Sequence, residues 1–258
     1  MRYTRVKVVL GIPHLGNLPG YFVDSLLSLL WPPGTFSVRV ENKPVDLARN
    51  LIAEAFMKTD ATHLFFMDAD MKFDPNALIR LAMHDLPIVS GTYFARTDTP
   101  VPHVYEFTAV EEGVHWYRAM GQEHRDWLAS HPEHLDAPAT ACLPPSPDSL
   151  VRCDGVGGGC LLIKREVFEK VAFPWFESFD TGGGEDFDFC RKAREAGFEV
   201  YADWAIQCEH STAGIFTARE EFLECFAEVE DLSQPILVEV GRAGRKKFLQ
   251  PTSVQIQH

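Results

Sequence analysis

The run Thr62-His63-Leu64-Phe65-Phe66-Met67-Asp68-Ala69-Asp70 constrains this chain more than any other stretch. Its mostly apolar residues read as a short buried strand, and two carboxylates, one residue apart, stand at the strand's end. Hard oxygen ligands suit Mg²⁺ or Mn²⁺, which keep sites open for phosphate oxygens. The simpler reading is a strand-to-helix turn, because an Asp ahead of a helix serves as its cap. Asp74-Pro75 already supplies the cap and first residue of a helix running to His84, so Asp68 and Asp70 are left without that role.

Further strands are expected at residues 6–12, 36–40, 88–93, 160–163 and 198–202. Helices are expected at 21–30, 75–84, 185–197 and 218–228, and another carries Leu47, Leu51 and Ala55 beside Ala48, Ile52 and Phe56 as its apolar face. Strands alternating with helices at this spacing predict an α/β domain with a largely parallel sheet and right-handed crossovers. Ligands of such sheets bind beyond the carboxyl ends of the strands, where Asp68 and Asp70 emerge. Residues 104–110 and 114–119, flanking Glu112-Gly113, predict a hairpin, followed by a polar helix at 122–130. The Pro- and Asp-rich residues 132–154 read as a mobile loop, either a lid over the site or a plain insertion.

The chain has 258 residues, 46% apolar, enough for one large core, and a single catalytic domain over residues 1–230 with a C-terminal tail over 231–258 is expected. A net charge of −13 disfavours a protein that grips nucleic acid, so a nucleic-acid acceptor is not favoured. The basic cluster Arg242, Arg245, Lys246 and Lys247 reads as a solvated tail. The N-terminal apolar run 6–12 is broken by Lys7 and Gly11 and stopped by Pro13, which fits neither a signal peptide nor a membrane span and predicts a cytoplasmic protein. Six cysteines form no CxxC pair, so neither disulfides nor a structural zinc is expected.

Three other clusters could carry chemistry. Asp46, Arg49 and Asn50 share one helical stripe that continues into Ala53 and Met57, unlike a solvent face. A helix start bearing Arg suits a base, ribose or phosphate, and an exposed Asp-Arg pair is the alternative. Gly182-Gly183-Gly184 runs into Glu185-Asp186 at a helix start, where either carboxylate could act as general base toward a hydroxyl that approaches over the glycines. His210, in Glu209-His210-Ser211, is by itself an ordinary histidine.

Taken in order, Asp46 to Asn50, Phe66-Met-Asp-Ala-Asp70, Gly155 to Ile163, Gly184-Glu-Asp-Phe-Asp-Phe-Cys190 and Cys208-Glu-His210 resemble nucleotide-sugar glycosyltransferases of the GT-A fold, particularly family-2-like members. The resemblance covers most of residues 5–215. It implies a Rossmann-like, mostly parallel central sheet flanked by helices, with residues 100–154 as a hairpin and loop insertion. It also implies that Asp68, Ala69 and Asp70 hold the metal and donor diphosphate, with Asp70 the more direct ligand and His210 completing the metal site. Asp186 would be the base of an inverting displacement. Asp46, Arg49, Asn50 and, from the first loop, Pro13 would line the nucleotide pocket. Gly158 and Gly159, with Gly184, would border sugar and acceptor. The implied reaction is a single, Mn²⁺- or Mg²⁺-dependent addition from a UDP- or GDP-linked sugar to a hydroxyl of an unidentified acceptor.

Other readings use similar parts. A nucleotidyltransferase needs a glycine-rich basic loop after the first strand, but Gly11 to Gly20 holds no Lys or Arg. A haloacid-dehalogenase-like phosphatase should carry Thr or Ser where this chain has Lys72. A binding module would take up the donor without turning it over.

Overall fold

The computed structural model describes residues 6–96, 100–111, 114–135, 146, 148–178, 184–212, 215–217, 237–240 and 247–249. Strand and helix alternate through β1 (Val8–His14), α1 (Gly20–Ser28), β2 (Phe36–Glu41), α2 (Val45–Met57), β3 (His63–Met67), β4 (Met71–Lys72), α3 (Ala77–Met83) and β5 (Ile88–Thr92). A hairpin of β6 (Val104–Glu111) and β7 (Val114–Ala119) follows, then α4 (Gly121–Ser130), α5 (Pro132–Leu135), β8 (Leu150–Cys153), β9 (Gly155–Val156) and β10 (Cys160–Lys164). Next come α6 (Arg165–Lys170), α7 (Glu185–Glu195), β11 (Val200–Gln207), β12 (Glu209–Thr212), β13 (Ile215–Thr217), β14 (Leu237–Val240) and β15 (Lys247–Leu249).

The central sheet has the order β2-β1-β3-β10-β5-β11-β8. β2, β1 and β3 are parallel, as are β5 and β11. β10 runs antiparallel between β3 and β5, and β8 runs antiparallel to β11 at the far edge. The fold is therefore α/β with a mixed sheet, parallel through most of its strands. All of β3 is buried: Leu64 and Phe66 pack on one side with Ile52, Phe56 and Phe189, while Phe65 and Met67 pack on the other with Phe22, Leu78 and Leu81. A strand covered on both faces has no polar side to alternate with, hence the unbroken apolar run.

Several sequence expectations need correction. β1 continues through His14, so Pro13 is a strand residue, not a loop residue. Its missing N–H costs nothing there, because the β1 ladder to β3 has already ended at Gly11. In α2, Leu47 and Leu51 are exposed while Arg49 and Asn50 turn inward beside Ala48, Ile52 and Phe56. The Asp74 carboxylate takes the Asn76 N–H at 2.7 Å in a turn, and the helix starts only at Ala77. Within residues 132–154, where a loop was expected, α5 forms and β8 joins the central sheet. β11 runs unbroken from Val200 to Gln207, with a register shift between Asp203 and Gln207. The C-terminal segment is not simply a tail, for β14 pairs with β7 and β15 with β14, giving the sheet β15-β14-β7-β6-β9. Glu112, Gly113, Gly182, Gly183, Arg242, Arg245, Lys246 and the helix expected at 218–228 lie outside the described residues. Among the described residues, no helix is long and apolar enough to cross a membrane.

Candidate active site

The site lies beyond the carboxyl end of β3, where the chain leaves Met67. The Asp68 N–H is held by the Gly159 carbonyl at 3.0 Å, which fixes the turn against the start of β10. The next residues pair through β4 with β12, with His210 opposite Met71 and Glu209 opposite Lys72. The Ser211 N–H adds a bond to the Asp70 carbonyl at 2.8 Å. That short ladder carries His210 to Asp70 from 140 positions away in the chain, leaving Nε2 3.4 Å from Asp70 Oδ2. His210 Nδ1 donates to the Phe94 carbonyl at 3.0 Å, and Arg96 donates to Asp70 Oδ2 at 2.7 Å. Burial works against the charge on Asp70, but His210 and Arg96 more than offset it and hold its pKa below the usual carboxylate value.

Asp68 faces a different partner. Arg49, 2% exposed on α2, donates from Nη2 to both Asp68 oxygens at 3.0 Å, from Nε to Glu185 at 3.2 Å and from Nη1 to the Gly158 carbonyl at 3.2 Å. Burial disfavours its charge, yet Asp68, Glu185 and Asp186 raise its pKa above the ordinary arginine value. A Cβ on Gly158 would stand 2.7 Å from that guanidinium, so glycine there is a requirement of packing. Gly159 is similarly constrained by Met71 and Tyr93. Asn50 is occupied with backbone: Nδ2 donates to the Phe176 carbonyl, and Oδ1 accepts from the N–H groups of Trp175 and Phe176. Asp46 Oδ2 accepts from Ser178 N–H at 3.3 Å.

Gly184 sits in the left-handed region (φ 81°) and starts α7, whose first turn holds Glu185, Asp186 and Asp188. The three divide their partners. Glu185 goes to Arg49, Asp188 to Arg191 and Lys192, and Asp186 takes the Phe187 N–H at 3.0 Å. Tyr93 and Tyr105 are buried nearby, and burial and the Asp186 charge push both phenols well above their ordinary pKa. His103 stacks on Tyr93, with ring centroids 4.6 Å apart, and meets the Tyr105 hydroxyl at 3.2 Å. Sequence reasoning singled out neither Arg96 nor this aromatic wall. Their signal was available, because Tyr93 and Arg96 follow β5 just beyond its carboxyl end.

The expected metal set Asp68, Asp70 and His210 is not gathered as one group. Among the described residues, no three His, Cys, Asp or Glu side chains are placed to hold a metal. Asp68 is instead paired with the buried Arg49. Asp70 and His210 nevertheless fit a hard divalent cation as two ligands. One offers carboxylate oxygen, and the other has its second nitrogen fixed by a carbonyl, as metal-bound imidazoles usually do.

This mixed sheet, with its carboxylate turn beyond β3, has the α/β architecture of the GT-A fold. No family model matches the chain. It is 27% identical over 192 residues to the mannan polymerase complex subunit MNN9 of Candida albicans, covering 64% of this chain and 48% of that protein. The chain thus spans about half the length of this curated relative. Among solved structures, A197 from STIV superposes with a TM-score of 0.52 at 16% identity over 98% of each chain. GalNAc-T7, solved with UDP, GalNAc and Mn²⁺, gives a TM-score of 0.52 at 12% identity over 81% of this chain and 44% of its own. At such identities the structural likenesses speak for the fold.

Proposed function

We propose that this chain transfers a single sugar from a UDP- or GDP-linked donor to an acceptor hydroxyl, with inversion, in a reaction that depends on Mn²⁺ or Mg²⁺. The observation that carries this reading is the β4–β12 pairing, which sets His210 against Asp70 at the ligand-binding end of the sheet. The likeness to MNN9, and the UDP, GalNAc and Mn²⁺ bound in GalNAc-T7, support it.

Asp70 and His210 would hold the cation, whose chemistry is to stabilise the negative charge gathering on the departing diphosphate. Arg49 holds Asp68 and Glu185 in place, so the turn is fixed before the donor arrives. Glu185, bound to Arg49, is assigned to positioning. Asp186 is assigned as the base: it takes the proton of the acceptor hydroxyl as that oxygen bonds to the anomeric carbon and the bond to diphosphate breaks on the opposite face. Asn50 and Asp46 act by holding the backbone of residues 175–178 beside the nucleotide end of the site. A cytoplasmic location belongs to the same proposal.

Calorimetric titration of UDP and GDP into the protein, with and without Mn²⁺, tests the donor site. Binding of one nucleotide that strengthens at least tenfold with Mn²⁺, and loses that gain in His210→Ala, is expected. Metal-independent binding, or none, would count against it.

A further inference from the structure

Arg96 Nη1 lies 2.7 Å from Asp70 Oδ2, the same oxygen that stands 3.4 Å from His210 Nε2. A guanidinium thus sits on the oxygen a metal would use. Two cations cannot share that position, so any metal reaching Asp70 must first displace Arg96. The two arginines of the site differ in their freedom to do this. Arg49 is 2% exposed and bonded to two carboxylates and a carbonyl, and moving it would break two ion pairs of a buried guanidinium at once. The Arg96 side chain is 43% exposed, with the Ser211 carbonyl at 3.0 Å as its second acceptor. It can leave at the modest cost of a half-exposed ion pair.

We propose that Arg96 is an internal counter-ion that blocks the metal position of Asp70 and couples metal binding to nucleotide binding. This rests on the metal-dependent donor site proposed above. With no nucleotide, Arg96 competes with the cation, and metal alone binds weakly. A diphosphate offers the displaced guanidinium better acceptors, since planar N–H forks match phosphate oxygens. Arg96 then leaves Asp70 for the diphosphate, and cation and nucleotide each strengthen the other's binding. The site stays closed to adventitious divalent metal and opens only to the pair of ligands used together.

The test is Mn²⁺ titration of the full chain, followed by the paramagnetic resonance of free Mn²⁺, alone and with saturating UDP or GDP. It compares wild type with Arg96→Gln, Arg96→Lys and Asp70→Asn, with melting temperatures confirming that each variant is folded. Arg96→Gln is expected to bind Mn²⁺ alone about three- to tenfold more tightly than wild type, as removal of a competing partly exposed ion pair implies. It should also lose most of the nucleotide-induced gain, which Arg96→Lys should largely keep. If Arg96→Gln binds Mn²⁺ alone no more tightly than wild type while Asp70→Asn abolishes binding, the coupling is wrong and the metal site stands. If wild type takes up no Mn²⁺ with or without nucleotide, both proposals fall.

Discussion

Asp68 and Asp70 are one residue apart, yet their surroundings give them different tasks. Asp68 closes onto the buried Arg49, while Asp70 faces His210 and the half-exposed Arg96. The sequence announces both carboxylates but not this division, because Arg49 and Arg96 arrive from α2 and from the end of β5. The same holds in α7: local helix physics accounts for three acidic residues in a first turn, and the partners that divide them, Arg49 for Glu185 and Arg191 and Lys192 for Asp188, appear only in the fold. Asp186→Asn should lower kcat by at least about a hundredfold while leaving donor KM within a few-fold, the usual range for removing a general base. Turnover near wild type in steady-state assays would remove it from that role. His63 provides a separate test through pH. Loss of solvation and the nearby Lys164 charge push its pKa down from 6.5 to about 4, so the folded protein keeps a neutral imidazole. The unfolded chain takes up the proton first as pH falls, so stability is full above about 6.5 and declines between there and about 4. Urea denaturation at pH 7 and pH 5 should show wild type losing about 2 kcal/mol more than His63→Gln. Equal losses would contradict a buried neutral His63.

Periodicity revealed the elements better than it revealed their partners. Strands buried on both faces, such as β3 and β10, stand out as apolar runs, and the hairpin of β6 and β7 is marked by its turn residues. Strand direction leaves no such trace, so the antiparallel insertion of β10 had to come from the structure. α2 misled for a physical reason. Its leucines at 47 and 51 look like part of the core stripe but are exposed, while Ala48, Ile52 and Phe56 are buried as expected and share the inward face with Arg49 and Asn50. β8 was hidden because an edge strand beside a Pro-rich segment has little pattern of its own. Arg165 shows what joins elements across the chain. Its guanidinium donates to the carbonyls of Phe56, Met57, Thr59 and Ala61 and lies over the Phe56 ring, tying the end of α2 and the approach to β3 to the start of α6. Arg165→Ala should cost about 2–3 kcal/mol of unfolding free energy in urea, since several carbonyls lose a charged donor together. A loss below about 0.5 kcal/mol would mean that water replaces it freely.

Across the whole molecule, three sheets contribute to the site, and the small one of β13, β12 and β4 brings His210 to Asp70. The central sheet delivers Asp68 and Asp70 at the end of β3 and Arg96 beyond β5, while the β6–β7 hairpin brings His103 and Tyr105 at its base. β14 and β15 extend that hairpin sheet, so the C-terminal strands and the β6–β7 hairpin form one layer. The resemblance visible in the ordered motifs extended to this architecture: Asp46 to Asn50 lie at the start of α2, Asp68 and Asp70 follow β3, and Glu185 and Asp186 open α7. The most direct measurement is release of nucleoside diphosphate from a panel of UDP-, GDP-, ADP- and dTDP-sugars, with and without Mn²⁺, comparing wild type with Asp70→Ala. Metal-dependent release from one UDP- or GDP-sugar, reduced at least a hundredfold in the variant, is the predicted result. Release that ignores both Mn²⁺ and the substitution would contradict a metal-assisted transfer at Asp70.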